Sequence, residues 1–519
     1  MSAAGDAPRT VFGLVEHQAL LRPQAVYAIQ AEGEQRLSFG ALRDSCLEVS
    51  ALLRRHGTQP GDTVSLVMPN GLMTLRLLLG ALYGGWCVNP VNLLSQAEQM
   101  RYVLEHSDCR LVFVAPEWEE AVHAHLETLE REVTMVVIAA DAAGLAWPGV
   151  PPDPHPAPGQ GVRVTGFAAP GPDALALLMY TSGTTGVPKG VMLTQANLAA
   201  NAASISAQHG LAPSDRVLGV LPLYHINAFA VTMLAPLAHG GSVAMAARFS
   251  AARFWIQAQA CGCTWLNVVP TMISYLLEAE PPVAALTPGL RFCRSASAAL
   301  PPEHLLTFEN RFGIAVVETM GLTETVAPSF SNPLVAEQRK VGSVGRASGC
   351  EARVIDAQCQ PVADGQTGEL AIRGPNVMRG YYKNEAATAA AFTPDGWLRT
   401  GDLGHRDGDG FYFVTGRIKE LIIKGGENIA PREIDEALLR HPAVLDAAAV
   451  GIPDQHYGQE IMACVVLRPG STLNESELRE FSLGQLGRYK TPSVIRFVSE
   501  LPRGPSGKVQ RLKLLDMPS

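Results

Sequence analysis

The stretch that decides the fold is Tyr180-Thr181-Ser182-Gly183-Thr184-Thr185-Gly186-Val187-Pro188-Lys189-Gly190, which follows the apolar run 174–179. Its three glycines let backbone N–H groups come close to an anion, its hydroxyl groups add hydrogen-bond donors, and Lys189 adds a positive charge. The apolar run predicts a buried strand, and ligands commonly bind at the end of such a strand. The stretch therefore predicts a loop that holds a polyphosphate.

The spacing of this loop differs from that of the P-loop in kinases and GTPases. Pro188 follows Gly183 by five residues, and the loop has no Gly-Lys-Ser/Thr triplet. An ordinary turn rich in Ser, Thr and Gly is the alternative for the loop taken alone. Four further motifs follow the loop along the chain, and the five together argue against that alternative. They are TMGLTE at 319–324, GWLRTGD at 396–402, TGRIKE at 415–420 running into KGGEN at 424–428, and PSGK at 505–508.

The composition is that of a globular enzyme with more than one domain. The 519 residues exceed what one hydrophobic core usually organises, and 47% of them are apolar while 17% are charged. The formal net charge of −8, without a block of like charges, argues against a nucleic-acid partner. A small acidic ligand must therefore be met by local cations and hydrogen-bond donors.

The N-terminal residues lack the apolar core of a secretory signal, so we expect a cytoplasmic protein. The longest apolar stretch, 226–238, is too short to span a membrane and contains Asn227 and Pro236. The nine cysteines are scattered from Cys46 to Cys464, which predicts buried thiols rather than a disulfide framework.

Alternating strand and helix signals predict a parallel α/β core. The turn and strand at 61–68 lie between the helical runs 41–56 and 71–82. From about residue 352 onward, short strands with turns between them predict a β-rich subdomain. The chain after Arg417 forms a further unit, so we expect domains at 1–416 and 417–519.

Together the five motifs resemble the motif set of the adenylate-forming, or AMP-binding, superfamily, whose members include acyl-CoA synthetases, adenylation domains and firefly-type luciferases. The resemblance covers about residues 38–511. It implies an α/β protein with a large N-terminal adenylate-forming domain, built from parallel sheets and a β-rich subdomain, and a small mobile α+β C-terminal domain.

The resemblance also implies a two-step reaction. A carboxylate attacks the α-phosphorus of ATP to give an acyl-adenylate and pyrophosphate, and a thiol then displaces AMP. Both steps build up negative charge that fixed cations and N–H donors can stabilise.

The resemblance assigns most of the motif residues to ATP. It implies that the β- and γ-phosphates are bound by Thr181, Ser182, Gly183, Thr184, Thr185, Gly186 and Lys189. Met320 and Gly321 correspond to the adenine motif, where the family commonly has an aromatic residue in place of Met320. A thioether contact would then replace stacking on the adenine.

Two further pairs are assigned in the same way. Thr323 and Glu324 correspond to the contacts with the α-phosphate and the magnesium ion, with Glu324 as the Mg²⁺ ligand. Asp402 corresponds to the acid that accepts both ribose hydroxyls, and Arg417 to the basic residue on the same sugar or the α-phosphate. A helix cap is the alternative role for the Thr-Glu pair, and a turn is the alternative for Asp402.

The last assignments concern the small domain. Lys508 matches the lysine that catalyses adenylation, and Lys419 falls at the hinge about which the family rotates this domain between half-reactions. After rotation, Lys424, Gly425 and Gly426 would face the active site and let the pantetheine of coenzyme A pass close to the backbone. Exposed surface charge is the alternative for Lys419 and Lys424.

We expect an acid–thiol ligase that uses free CoA. An adenylation enzyme that loads a carrier protein and a luciferase-like oxygenase are the alternatives. The chain ends eleven residues beyond Lys508, which leaves no room for a fused carrier domain, and the motif at 424–428 is typical of CoA-using members.

The acid is expected to be small. The chain most resembles the oxalyl-CoA synthetase branch, and this implies that His225, Asn227, Ser295 and Ser297 contact the acid. Ala327 stands where that branch has a further histidine, so malonate, sulfoacetate, or a medium-chain or aromatic acid are alternatives to oxalate. A packed structural histidine is the alternative role for His225.

Overall fold

The computed structural model describes residues 8–145, 168–181, 187–279, 289–504 and 509–517. Within them the strands, in chain order, are β1 Val26–Gln30, β2 Arg36–Ser38, β3 Thr63–Val67, β4 Cys87–Pro90, β5 Cys109–Val114, β6 Thr134–Val137, β7 Leu175–Thr181, β8 Lys189–Thr194, β9 Arg216–Gly219, β10 Ser242–Met245, β11 Trp265–Val268, β12 Phe292–Ser295, β13 Ala315–Met320, β14 Phe330–Ser331, β15 Arg346–Ala347, β16 Glu351–Ile355, β17 Gly368–Arg373, β18 Gly380–Tyr381, β19 Leu398–Arg406, β20 Tyr412–Arg417, β21 Ile422–Lys424, β22 Glu427–Ile429, β23 Val444–Asp454, β24 Gly458–Leu467 and β25 Val494–Phe497.

The α-helices of the same residues are α1 Val11–Leu21, α2 Phe39–Arg55, α3 Leu72–Gly84, α4 Ala97–His106, α5 Glu119–Leu126, α6 Gln195–Gln208, α7 Ala235–His239, α8 Ala251–Ala260, α9 Pro270–Glu278, α10 Pro302–Phe312, α11 Glu385–Ala391, α12 Pro431–Leu439 and α13 Glu475–Lys490. A π-helical segment, Ala228–Leu234, runs directly into α7. Proline at the first position begins α9, α10 and α12, where its missing N–H is not needed.

Two large sheets form the N-terminal part of the molecule. One has the order β18-β8-β7-β4-β3-β5-β6, and the other has the order β15-β14-β13-β12-β11-β9-β10-β1-β2. Most neighbours within them are parallel, for example β11 with β12 and β12 with β13. Parallel strands end at the same edge of a sheet, so residues just after β12 and β13 lie side by side.

One apolar cluster connects the two large sheets. It includes Leu177 of β7 and Val243 of β10, together with Leu75 of α3 and Leu198 of α6. The helices α1, α2, α3 and α6 therefore form a layer that both sheets share. The strands are buried on both faces, and this explains why they read as apolar runs in the sequence.

Two smaller sheets follow along the chain. An antiparallel sheet has the order β16-β17-β19-β20, which is the β-rich part expected from residue 352 onward. The last sheet has the order β22-β21-β24-β23, with β25 parallel to β24. Its two apolar clusters contain only residues from Ile422 to Met517. The predicted fold class, α/β with parallel sheets and a separate C-terminal domain, is confirmed, whereas the division at residue 417 stays a prediction.

Candidate active site

The predicted phosphate loop joins β7 to β8. These strands are antiparallel neighbours, and their register places Thr181 opposite Lys189 at the end of the hairpin. Ser182, Gly183, Thr184, Thr185 and Gly186 lie outside the described residues, and so does Lys508. The hairpin thus brings the first and last residues of the predicted loop together.

Lys189 and Glu324, which belong to different motifs, both contact Tyr381. The Lys189 Nζ atom lies 4.9 Å from the centroid of the Tyr381 ring. The Tyr381 hydroxyl donates to Oε1 of Glu324 at 2.9 Å. Burial, with the nearby Glu324 carboxylate, holds the pKa of Tyr381 well above its ordinary value, so the hydroxyl keeps the proton that it donates.

Sequence reasoning missed Tyr381. It lies on the short strand β18, where it pairs with Val191 of β8. Its only signal in the sequence was an aromatic doublet after Gly380, in a region with no assigned motif.

The turn that carries Thr323 and Glu324 is held by buried amide side chains. It is a 3₁₀ segment, Thr323–Thr325, just after β13. The Asn201 side chain of α6 donates to the carbonyls of Thr325 at 3.2 Å and Val326 at 2.6 Å. The backbone N–H of Met378 donates to the Glu324 carbonyl at 2.8 Å. Two other segments therefore hold the turn, helix α6 and residues 378–381, and the second also carries the Tyr381 hydroxyl that binds the Glu324 carboxylate.

Asp402 and Arg417 face each other on the antiparallel strands β19 and β20. The Arg417 Nε atom donates to Oδ1 of Asp402 at 2.6 Å, and Asp402 is buried. Burial lowers the pKa of Arg417, but the charges of Asp402, Glu420 and Glu324 outweigh this and raise it. Arg417 therefore keeps its positive charge beside the Asp402 carboxylate.

The Glu324 carboxylate fits a magnesium ion that takes most of its ligands from a nucleotide. One of its oxygens accepts from Tyr381, which leaves Oε2 without a hydrogen bond from the described residues. The described part of the chain has no group of three or more His, Cys, Asp or Glu side chains that could hold a metal alone. A hard carboxylate beside phosphate-binding groups is the arrangement Mg²⁺ uses in phosphoryl-transfer sites.

Lys424 is buried rather than exposed. Only 6% of it is accessible, its Nζ atom lies 2.6 Å from Glu460, and it donates to the Tyr489 carbonyl at 2.9 Å. The next two residues, Gly425 and Gly426, have left-handed backbone angles, with φ of +55° and +85°. These glycines form a tight turn between β21 and β22.

Lys419 lies in the 3₁₀ segment Ile418–Glu420 directly after β20, and its side chain is exposed.

Met320 ends β13. Gly321 follows it, where an added Cβ would lie 2.7 Å from the Cα of Ala327. This close approach explains why glycine occupies position 321.

The residues predicted to contact the acid lie at the ends of neighbouring elements. Asn227 precedes the π-helical segment, and its side-chain amide donates to Oγ of Ser297 at 3.2 Å. Ser295 ends β12, is 2% exposed, and its hydroxyl has no hydrogen-bond partner among the described residues. His225 is half-buried at the start of the same helical stretch as Asn227, with its ring 4.8 Å from that of Tyr224.

Arg294 was also missed by sequence reasoning. It is fully buried on β12, and its Nη1 atom donates to Oδ1 of Asn227 at 2.6 Å and to Oδ1 of Asn267 at 2.7 Å. The available signal was a charged residue inside the otherwise uncharged strand Phe292–Ser295.

The fold and this site define an AMP-binding enzyme. Residues 15–382 match the family model of the AMP-binding enzymes, and residues 433–508 match that of their C-terminal domain, so the chain belongs to this family. The predicted superfamily is confirmed, and so are the ligase class and the use of ATP and coenzyme A.

Individual relatives are similar over nearly the whole chain. A sulfoacetate–CoA ligase from Cupriavidus necator is 55% identical over 508 residues, which cover 98% of this chain and 97% of the relative. An oxalate–CoA ligase from Arabidopsis thaliana is 36% identical, covering 97% of each chain. The crystal structure of ATP-bound MatB from Rhodopseudomonas palustris superposes with a TM-score of 0.88 at 28% identity, covering 98% of each chain. Among the described helices, none is long and apolar enough to cross a membrane.

Proposed function

We propose that the chain is an ATP-dependent CoA ligase for a small carboxylic acid that carries a second anionic group, with sulfoacetate as the first candidate. The observation that carries this proposal is the cluster of hydrogen-bond donors on the acid side of the site. The Ser295 hydroxyl is buried and has no hydrogen-bond partner in the described part of the chain, and the Asn227 amide and Ser297 hydroxyl lie in contact. A buried polar group without a partner is costly, so such a cluster favours a polar ligand over an aliphatic chain.

The 55% identity to a sulfoacetate–CoA ligase supports sulfoacetate over the other small acids. Oxalate is less favoured, since the oxalate–CoA ligase is 36% identical and Ala327 stands in place of the branch's histidine. We further propose that the enzyme acts in the cytoplasm.

In the first half-reaction, the nucleotide groups of the large domain stabilise charge. Lys189 at the hairpin end would neutralise the β- and γ-phosphates, and Arg417, beside Asp402, would stabilise the charge that grows on the α-phosphate during attack by the carboxylate. Asp402 accepts from the ribose hydroxyls while Arg417 fixes its orientation. Glu324, oriented by Tyr381, would hold Mg²⁺, which supplies further neutralisation of the phosphates when bound.

The second half-reaction involves the C-terminal unit, proposed as 417–519. We propose that it rotates about Lys419, withdraws Lys508 from the site and brings the turn at Gly425 and Gly426 to the entering thiol. Their left-handed backbone and lack of side chains suit a close passage of pantetheine.

The test is a panel of acids scored by CoA-dependent AMP release: sulfoacetate, malonate, oxalate, benzoate and palmitate. We expect kcat/KM to be highest for sulfoacetate and lowest for palmitate. A higher kcat/KM for benzoate or palmitate than for every dianionic acid would contradict the proposal. AMP release with a carrier protein and not with free CoA would contradict the proposal that CoA is the acyl acceptor.

A further inference from the structure

We propose that Arg294 is a positioning residue that sets the substrate class, because it directs the donors of Asn227 and Ser297 toward a second anionic group of the acid. The inference rests on the proposed function and adds the residues that recognise the sulfonate or second carboxylate. Arg294 acts through Asn227, so it affects the pocket without lining it.

The first observation is an uncompensated buried charge. Arg294 is 0% exposed, and its Nε and Nη2 atoms have no hydrogen-bond partner among the described residues. No Asp or Glu of the described chain forms an ion pair with it, and both oxygens on Nη1 belong to neutral amides. Burying a charge without a counter-ion is costly, so its presence is best explained by an anion that arrives with the substrate.

The guanidinium keeps its charge in this setting. Burial lowers the pKa of Arg294 to about 9, which is still above neutral pH. Burial and the Arg294 charge lower the pKa of His209 to about 4, so that imidazole is neutral and adds no second positive charge. The charged guanidinium reaches the acid side of the site through its hydrogen bond to Asn227.

The second observation is the fixed orientation of Asn227. Its Oδ1 atom accepts from Nη1 of Arg294 at 2.6 Å and from Nδ2 of Asn267 at 3.2 Å. With the oxygen held inward, the amide can present only its NH₂ group, which donates to Oγ of Ser297 at 3.2 Å. Because Oγ accepts that bond, the hydroxyl hydrogen of Ser297 can be donated to a ligand.

The result is a wall of donors polarised by a buried cation. Hydrogen bonds in a chain strengthen one another, and those that begin at a charge are the strongest. Ser295 adds a second hydroxyl at the end of the strand that carries Arg294. Such a wall recognises an acceptor-only group with negative charge, which describes a sulfonate or a carboxylate.

The experiment compares two acids whose distal groups share a tetrahedral sulfur but differ in charge, because a methyl group replaces one sulfonate oxygen in the second. Sulfoacetate carries a sulfonate, and methylsulfonylacetate keeps the tetrahedral sulfur and two of its oxygens but is uncharged there. In the parent enzyme we expect a higher kcat/KM for sulfoacetate. In Arg294→Met the ratio of the two kcat/KM values should fall by about tenfold or more, while KM for ATP stays within about twofold of the parent value.

Asn227→Ala tests the connection. It should lower the same ratio of kcat/KM values. The double variant should lower that ratio no further than Arg294→Met alone, because both substitutions remove the same hydrogen bond between residues 294 and 227. Arg291→Met is the matched control, since Arg291 lies just before β12 and pairs with Asp215 at 2.6 Å. Its ratio should stay at the parent value. Should Arg294→Met fail to fold, Arg294→Gln and Asn227→Ala carry the comparison.

A ratio unchanged by Arg294→Met or Arg294→Gln would overturn the inference, and additive effects in the double variant would overturn the route through Asn227. Both outcomes leave an active small-acid ligase. Failure of the proposed function differs, because the parent enzyme would then prefer apolar acids over sulfoacetate before any substitution is made.

Discussion

At the scale of single residues, Tyr381 connects two motifs that are far apart in sequence. Its ring lies under the Lys189 ammonium and its hydroxyl donates to Glu324. The tyrosine thereby holds the proposed magnesium ligand in one orientation beside the proposed phosphate-binding lysine. An orientation fixed before the nucleotide arrives need not be reorganised during the reaction.

We therefore predict that Tyr381→Phe lowers kcat/KM for ATP by about tenfold, the effect of losing one hydrogen bond to a charged group. KM for the acid should change little. Tyr382→Phe is the matched control, because the adjacent tyrosine donates to Asp108 at 2.8 Å instead. Steady-state kinetics with varied ATP give kcat/KM for both variants. Equal losses of kcat/KM in the two variants would show that Tyr381 has only a packing role.

At the scale of elements, helix α6 holds the Thr-Glu turn in place. Asn201 is 1% exposed and supplies hydrogen bonds to two carbonyls of that turn. Replacement by alanine removes both bonds; the Thr325 carbonyl keeps the Asn376 amide at 3.0 Å, whereas the buried Val326 carbonyl loses the donor at 2.6 Å. We predict that Asn201→Ala lowers the free energy of unfolding by about 1–3 kcal/mol and also lowers kcat.

Chemical denaturation gives the free energy of unfolding, with Ser204→Ala as the control on the same helix. Ser204 forms a part-buried hydrogen bond with Ser348 at 3.2 Å, so its loss should cost about 1 kcal/mol or less. An Asn201→Ala protein as stable and as active as the control would show that the turn holds its own shape.

Some elements of the fold could be predicted from the sequence, whereas contacts between distant residues could not. The strands expected at 61–68, 352–356 and 368–373 are β3, β16 and β17, because a local apolar pattern determines each of them. The contacts of Tyr381 and Arg294 were beyond such reasoning, since they join residues 57 and 67 positions apart. The pairing of β18 with β8 brings Tyr381 to the site, and the pairing of β12 with β11 places Arg294 beside Asn267.

At the scale of the whole molecule, the proposed hinge at Lys419 lies two residues after Arg417, a proposed nucleotide-binding residue. Arg417 ends β20 in contact with Asp402, and Lys419 follows in a short 3₁₀ segment. A rotation at Lys419 would move everything beyond it, while Arg417, at the boundary of the two proposed domains, would keep its contact with Asp402. Gly425 and Lys508 would then alternate at the site, with one half-reaction each.

We predict opposite effects for two substitutions on this moving unit. Lys508→Ala should slow acyl-adenylate formation by about 10²-fold, the effect of losing one preorganised charge, and should leave thioester formation from prepared acyl-adenylate and CoA near the parent rate. Gly425→Leu should still form acyl-adenylate but block thioester formation, because φ of +55° disfavours a side chain and an added Cβ would lie 3.0 Å from the Tyr489 hydroxyl. Separate assays of pyrophosphate release and thioester formation measure the two steps. Equal losses of both steps in each variant would reject the two-conformation cycle, even in an active CoA ligase.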